Sequence, residues 1–349
     1  MKMFTKLALV SSMAISANAM AMQSMDDAAL SAATGQDGIN LGIGISKIEI
    51  EKVLIHDNNG LAAAGTAGTA GFGGTATAGA IVIKGNGTGK TATNGIVIEA
   101  PVNAAGDAYD TSRKLTSGLL AELAIDTDAG TTAAGGAFLN VAAAVSGLDI
   151  YIGEIGVSAS NALSPTAVRR GANDSGATPN YNKILSGLTL KTGKMDANIQ
   201  LGAAPQGAMI VLSTTMQGGL EINNLGIVDS STKTGTGNGT AGNRAAGEIF
   251  LDSIKVADAS GSNLTVAAKV SVVGKEATNN GYLRIITGSG TTTPATDMYI
   301  KGVRLGSSTA ASIGDVEVQG LQTYYNNGGG FSSTGANDVK GSMITISGH

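Results

Sequence analysis

"IFLDSIKV" at 249–256 places two apolar pairs, Ile249 with Leu251 and Ile254 with Val256, either side of a two-residue insertion. The same spacing returns as "IGISKIEI" (43–50), "IYIGEIGV" (150–157), "LEINNLGI" (220–227) and "MYIKGVRL" (298–305), and "VEVQGLQT" (316–323) departs from it only at Thr323. Chance supplies about two such windows in a chain of this length. Side chains alternate faces along a strand, so in a straight strand the insertion would throw the second pair to the wrong side. The chain must bulge or turn a corner there, and Gly153, Ser253 and Gly302 lie within inserted pairs, as a corner favours. Four copies are directly preceded by an acid, Asp149, Glu248, Asp297 or Asp315. These read as solvated residues leading into strands; a Ca²⁺ role lacks the Gly-Gly-x-Gly-x-Asp repeat that such sites use.

Around these copies the text from Ile39 onward is short apolar stretches separated by Gly, Ser, Thr and Asn loops, the pattern of an all-β chain. Trp is absent, aromatics are 3% and Gly numbers 52, so the core must be thin layers of Ala, Val, Ile and Leu. Two architectures fit: a parallel β-solenoid in which the insertion is a corner between walls, or a sandwich of stacked β-sheets in which it is a bulge. The irregular spacing between copies argues against a fixed-period array. The scarcity of aromatic anchors favours an elongated β-solenoid-like fold with long Gly/Thr/Ala/Asn-rich loops. An outer-membrane barrel would need aromatic girdles that seven Tyr and five Phe cannot supply.

Composition also narrows function. Charged residues are 14% and the net charge is −4, without the basic stripe that nucleic acid requires. No Cys is present, which removes thiol nucleophiles, disulfides and sulfur-ligated zinc together. The two histidines, His56 and His349, are a loop residue and the last residue. No paired acids recur on adjacent strands as a carbohydrate-active solenoid would have them, so no catalytic, cofactor or metal residues are expected. "GNGTGKT" (85–91) imitates a phosphate loop, yet the first glycine should stand at Lys84, and β-branched Ile96, Val97 and Ile98 follow where a helix is needed. It reads instead as a surface hairpin loop.

The opening residues "MKMFTKLALVSSMAISANAMAMQ" carry a basic start, a short apolar run and Ala-x-Ala sites, the pattern of a signal peptide over 1–21 cleaved after Ala19 or Ala21. The apolar run is too short to span a membrane. A short helical segment over 22–36 follows, capped by Asp26 or Asp27 and ended by Gly35, and then a single all-β domain over 37–349. Among the loops, Tyr324, Tyr325 and Phe331 gather in "YYNNGGGFSSTGANDVKG" (324–341), where they would stack on a sugar or a partner surface, or else pack over the end of the solenoid.

Residues Met25, Asp26, Asp27, Leu30, Ser31, Thr34, Gly35, Gln36 and Gly38, leading into alternating Ile/Leu strands, resemble the N-terminal motif of FilA-type pilus-system proteins and their relatives of unknown function. The resemblance covers about the first 60 residues and implies export and association with a surface filament or its assembly system, with no catalytic residues. The expected protein is thus an exported surface structural or adhesive component, non-catalytic and without cofactor. Its partners are itself, other pilus-system proteins, or a surface glycan or matrix, and neither nucleic acid nor, in the mature chain, a membrane span. The alternative is a secreted carbohydrate-binding or carbohydrate-active protein. The absence of a donor strand before this motif leaves donor-strand polymerisation unpredicted, and stacking of open ends is the physical alternative.

Overall fold

The computed structural model describes residues 38–63, 66–68, 72–103, 105–276, 280–288, 294–326 and 337–348. Two compact units divide the chain, Met1–Asn40 and Leu41–His349. Of the first, only Gly38, Ile39 and Asn40 are described, so the expected N-terminal helix with Met25, Asp26, Asp27, Leu30, Gly35 and Gln36 lies outside the described residues.

Apart from three single-turn 3₁₀ segments, every described element is a strand. The chain runs back and forth. A first pass contains β1 (Ile39–Ile43), β2 (Lys47–Ile50) and β3 (Lys52–Asp57); the second contains β4 (Gly79–Lys84), β5 (Ile96–Glu99) and β6 (Ala121–Asp128). The third is β7 (Phe138–Val145), β8 (Asp149–Ile152) and β9 (Glu154–Ala159), and the fourth β10 (Tyr181–Leu185), β11 (Leu188–Lys191) and β12 (Met195–Gly202). Then come β13 (Ile210–Met216) with β14 (Leu220–Asp229), β15 (Gly247–Asp258) with β16 (Leu264–Val273), and β17 (Tyr282–Thr287) with β18 (Thr296–Leu305). The last pass is β19 (Ser312–Leu321), the small pair β20 (Tyr324–Asn326) and β21 (Asp338–Lys340), and β22 (Ser342–Ile346).

Each pass gives one strand to an eight-stranded sheet in the order β1-β6-β7-β12-β13-β16-β17-β22. The other strands join a 12-stranded sheet, where the first four passes enter as two half-strands and the last four as one, except β20 and β21, which pair with each other alone. Neighbours along both sheets follow chain order, and the pairings between passes are antiparallel. The parallel solenoid is therefore corrected to two antiparallel sheets, of eight and 12 strands. Loops such as 160–180 and 230–246 reverse the chain after each crossing, whereas a coil would return it in the same direction. The sheets are open, with β1 and β22 at the two ends of one order.

The repeated spacing becomes cross-strand ladders. Ile48, Ile98, Ile150, Leu190, Ile222, Ile254, Ile300 and Val316 stand directly opposite one another across all eight passes. Beyond the insertion a second ladder joins Val53, Ile83, Ile155, Leu185, Ile227, Ile249 and Leu305. In the eight-stranded sheet Ile125, Val141, Ile199, Ile210, Val270, Ile285 and Ile344 form a third. Directly opposed apolar pairs contribute roughly 0.2–1 kcal/mol each, so these repeated contacts take the place of a deep core. Among the described residues Val82 and Val97 are fully buried, and most ladder residues are half-buried.

The insertion interrupts the strands as its parity requires. Gly153 separates β8 from β9 and donates its N–H to the Gly95 carbonyl at 2.8 Å; a Cβ there would stand 2.2 Å from the Lys84 oxygen. Asn224 and Gly302 take the same row with left-handed backbones, φ 58° and 67°, while Ser253 stays inside the unbroken β15.

Candidate functional site

Three places gather polar or exposed groups: the terminal edges, two docked loops and a groove beside residues 86–91. Among the described residues, β2 and β3 pair only with β5 and β4 at one end of the 12-stranded sheet, and β19 pairs only with β18 at the other. Each outer side leaves a row of backbone N–H and C=O groups facing outward. Val316 is 47% exposed and Ile313 69%. On the face opposite the first ladder runs a row of polar residues: Lys47, Glu99, Asp149, Lys191, Glu221, Lys255, Tyr299 and Glu317. Its terminal members carry opposite charge. Asp315 fixes the bulge of β19 by accepting from Gly302 N at 2.7 Å and the Tyr299 hydroxyl at 2.6 Å. The hydroxyl's bond, then the backbone's, hold the Asp315 carboxyl below the usual carboxylate range.

The docked loops contain the most buried charges. Arg113, in the loop after β5, donates from Nη2 to Asp149 Oδ1 at 2.7 Å and to the Leu148 carbonyl at 2.9 Å, and from Nε to the Thr192 carbonyl at 2.8 Å. Asp149 also accepts from Val102 N at 3.1 Å and is 1% exposed. In the loop after β9, Asp174 accepts from Lys52 Nζ at 2.7 Å through Oδ2, and its carbonyl takes Lys84 Nζ at 2.6 Å. Lys84 also lies 3.6 Å from Glu154 and 3.8 Å above the Tyr181 ring. The Tyr181 hydroxyl is buried beside Glu154, and burial, then the charge of Glu154, push its ionisation up. Both carboxylates are shielded and occupied, which suits holding a loop to a sheet better than meeting a substrate.

Of the acids before the repeated copies, Asp149 is corrected from solvated to buried, while Glu248, Asp297 and Asp315 stay in reach of solvent and also accept hydrogen bonds. Asp149 is buried in its ion pair. Glu248 accepts from Ser186 Oγ and Ser308 N, and Asp297 from Ser260 N and Gly320 N. A loop or bulge leaves backbone donors that the ladder cannot use, and a short carboxylate supplies the missing acceptor.

Residues 86–91 do not form the expected hairpin loop, because β4 and β5 pair with other strands and not with each other. The segment is an excursion within one pass. Asn86 Oδ1 fills it by accepting from Thr88 N and from the hydroxyls of Thr88 and Thr91, and Lys90 Nζ is bound to Glu99 at 2.9 Å. The N–H groups of Asn86, Gly87 and Thr88 and the Lys90 ammonium are thus already taken by partners within the protein. Beside it lies a groove of about 600 Å³ lined by Asn86, Lys90, Tyr151, Lys183, Asn224 and Phe250. Of the aromatic trio, Tyr324 is 57% exposed on β20 opposite Lys340, and Tyr325 is half-buried opposite Val339; Phe331 lies outside the described residues. Among the described residues no three His, Asp or Glu gather as a metal-holding group, and no helix is long and apolar enough to cross a membrane.

Sequence reasoning missed Arg113, Asp174, Lys84 and the opposed charges Lys47 and Glu317. The pairs of Arg113 with Asp149 and of Lys84 with Asp174 join residues 36 and 90 apart in sequence, beyond any local pattern. The ends of the polar row become visible only once the strand order is known.

Residues 1–110 match a family model described as "Family of unknown function (DUF6160)". The match runs from the N-terminus through β5 into the loop that carries Arg113. No curated protein and no solved structure matches the chain.

Proposed function

We propose that this chain is an exported, non-catalytic structural component of a surface filament of the FilA type. The observation that carries the reading is the pair of open terminal edges on a fold whose most buried charges hold its own loops. Such edges are templates for strand addition, and the N-terminal motif from Met25 to Gly38 supports export into a pilus-like system. Electron microscopy of the chain started at Met22, over a concentration series with and without Ca²⁺, tests it together with immunogold labelling of cells. Filaments or end-joined particles, and label along surface fibres, are the expected results; label confined to the cytosol would end the proposal.

The groove favours a second reading, binding of a surface glycan or matrix. Tyr151 and Phe250 offer aromatic surface while Asn86, Asn224, Lys90 and Lys183 offer polar groups. Glycan-array binding lost in Tyr151→Ala is the expected result, and no binding by the parent chain refutes it. Tyr324 provides the comparison: if Tyr324→Ala loses binding and Tyr151→Ala does not, the ligand sits on the β20 hairpin.

A further inference from the structure

We infer that the partner at the open edges is a second copy of this chain, added head to tail, with β19 of one copy paired antiparallel to β2 and β3 of the next. This joint rests on the filament reading above. Strand direction alternates at each of the seven steps from β2 and β3 to β19, so the last strand runs opposite to the first. A neighbouring copy in the same orientation therefore continues the antiparallel order without inversion. A two-fold pairing of β19 with itself satisfies direction as well, but it lines both copies' Asp315 and Glu317 along one seam with no basic residue of β19 to meet them.

Two independent rows select the same register. Extending the aliphatic ladder puts Val316 of one copy opposite Ile48 of the next. Extending the polar row puts Glu317 opposite Lys47, and in an antiparallel pair these two placements are one register. The new contact thus pairs opposite charges on one face and aliphatic side chains on the other, as the internal pairings do. Glu49, which then faces Asp315, is held by Lys47 at 2.5 Å, while Asp315 is turned back onto Gly302 and Tyr299. Because the two surfaces differ, the contact is heterologous and leaves a free edge at each end of any assembly, the condition for open growth.

The chain has no Cys, which gives a direct test. Lys47→Cys and Glu317→Cys chains, mixed and oxidised, are expected to form a covalent heterodimer that neither variant forms alone, and the double variant is expected to give a ladder of multimers. Glu317→Lys should weaken self-association in sedimentation by about ten-fold, and mixing it with Lys47→Glu should restore it. Cross-linking of Glu317→Cys alone as fast as the mixture would replace this joint with a two-fold one, and a parent chain that stays monomeric without cross-links would overturn it. Monomers in solution with immunogold label along cell-surface fibres would sink the self-pairing but not the filament reading. Cross-linking in the expected register without any label on fibres would do the reverse.

Discussion

Removing one partner of the Arg113 and Asp149 pair should destabilise the protein more than breaking any of its exposed ion pairs, and the two halves should differ. Asp149 is 1% exposed and keeps only the Val102 N–H if Arg113 is lost. Arg113 keeps the carbonyls of Thr192 and Leu148 if Asp149 is lost. Breaking a buried pair costs about 3–5 kcal/mol because the remaining charge stays uncompensated. Arg113→Met therefore belongs at the upper end, since it also strips the Thr192 carbonyl of that donor, an orphaning worth about 1–3 kcal/mol. Asp149→Asn retains an acceptor for Val102 and belongs near about 3 kcal/mol. Urea unfolding followed by circular dichroism measures both, with an unchanged m-value required for the comparison. Limited proteolysis should open first within 103–118, the segment released from the sheet. A greater cost for Asp149→Asn than for Arg113→Met, or a cost under about 1 kcal/mol for both, would refute this account of the pair.

Three further outcomes follow from local geometry. Gly302→Ala should cost about 1–2 kcal/mol through its left-handed backbone alone. Its Cβ would also meet Asp252 Oδ2 at 2.0 Å, so thermal melting should show a larger loss than the same change at Gly306, where nothing lies within 4 Å. Acid should loosen the last pass first: hydrogen bonds hold the carboxyls of Asp297 and Asp315 below their ordinary value. A depressed folded value gives stability above the unfolded value of about 3.9 that is lost as pH falls through the folded one, so amide exchange in β19 should rise below about pH 4, and Asp315→Asn should flatten that dependence. Lys90→Ala should change stability by less than about 1 kcal/mol, its ion pair being exposed; calorimetry with ATP should give no heat of binding from parent or variant.

The pattern in "IFLDSIKV" was legible because parity is a local property. Two residues between apolar pairs require a break wherever the fold places the strand, and the row through Gly153, Asn224 and Gly302 is that break. Direction was not legible. Apolar alternation is the same read either way along a strand, so the spacing that predicted a corner carried no sign to separate a coil from a meander. The scarcity of aromatics, taken as favouring a coil, has a different physical origin: aliphatic ladders between directly opposed residues need side chains of one size and shape more than large anchors. The candidate sites were less legible still. Asp149 looks like any acid before a strand until Arg113 arrives from another loop, and Tyr324 and Tyr325 lie on a small strand pair that the Gly-rich text around them concealed.

A meander that pairs each pass with its neighbours in sequence has an energetic consequence at its ends. Its stability approximates a sum over adjacent passes, as in other one-dimensional stacks, and such stacks use distinct terminal units to keep the outermost surfaces soluble. An interior pass is held on two sides. The first and last are held on one, so they contribute least and open first. Natural edges are blunted by inward charges, prolines or covering segments, yet β19 carries Val316 and Ile313 exposed and has no proline. Its Asp315 and Glu317 do supply charge, but Asp315 is engaged by its own bulge, and Glu317 sits where a basic residue opposite would complete the row that begins at Lys47. The β19 edge carries only acidic charges, Asp315 and Glu317, so two such ends repel, whereas the β2 edge brings Lys47 to meet Glu317. In the head-to-tail joint we propose, the arrangement that is a liability in a monomer becomes the device that sets polarity, and the next copy supplies the missing neighbour of each terminal pass.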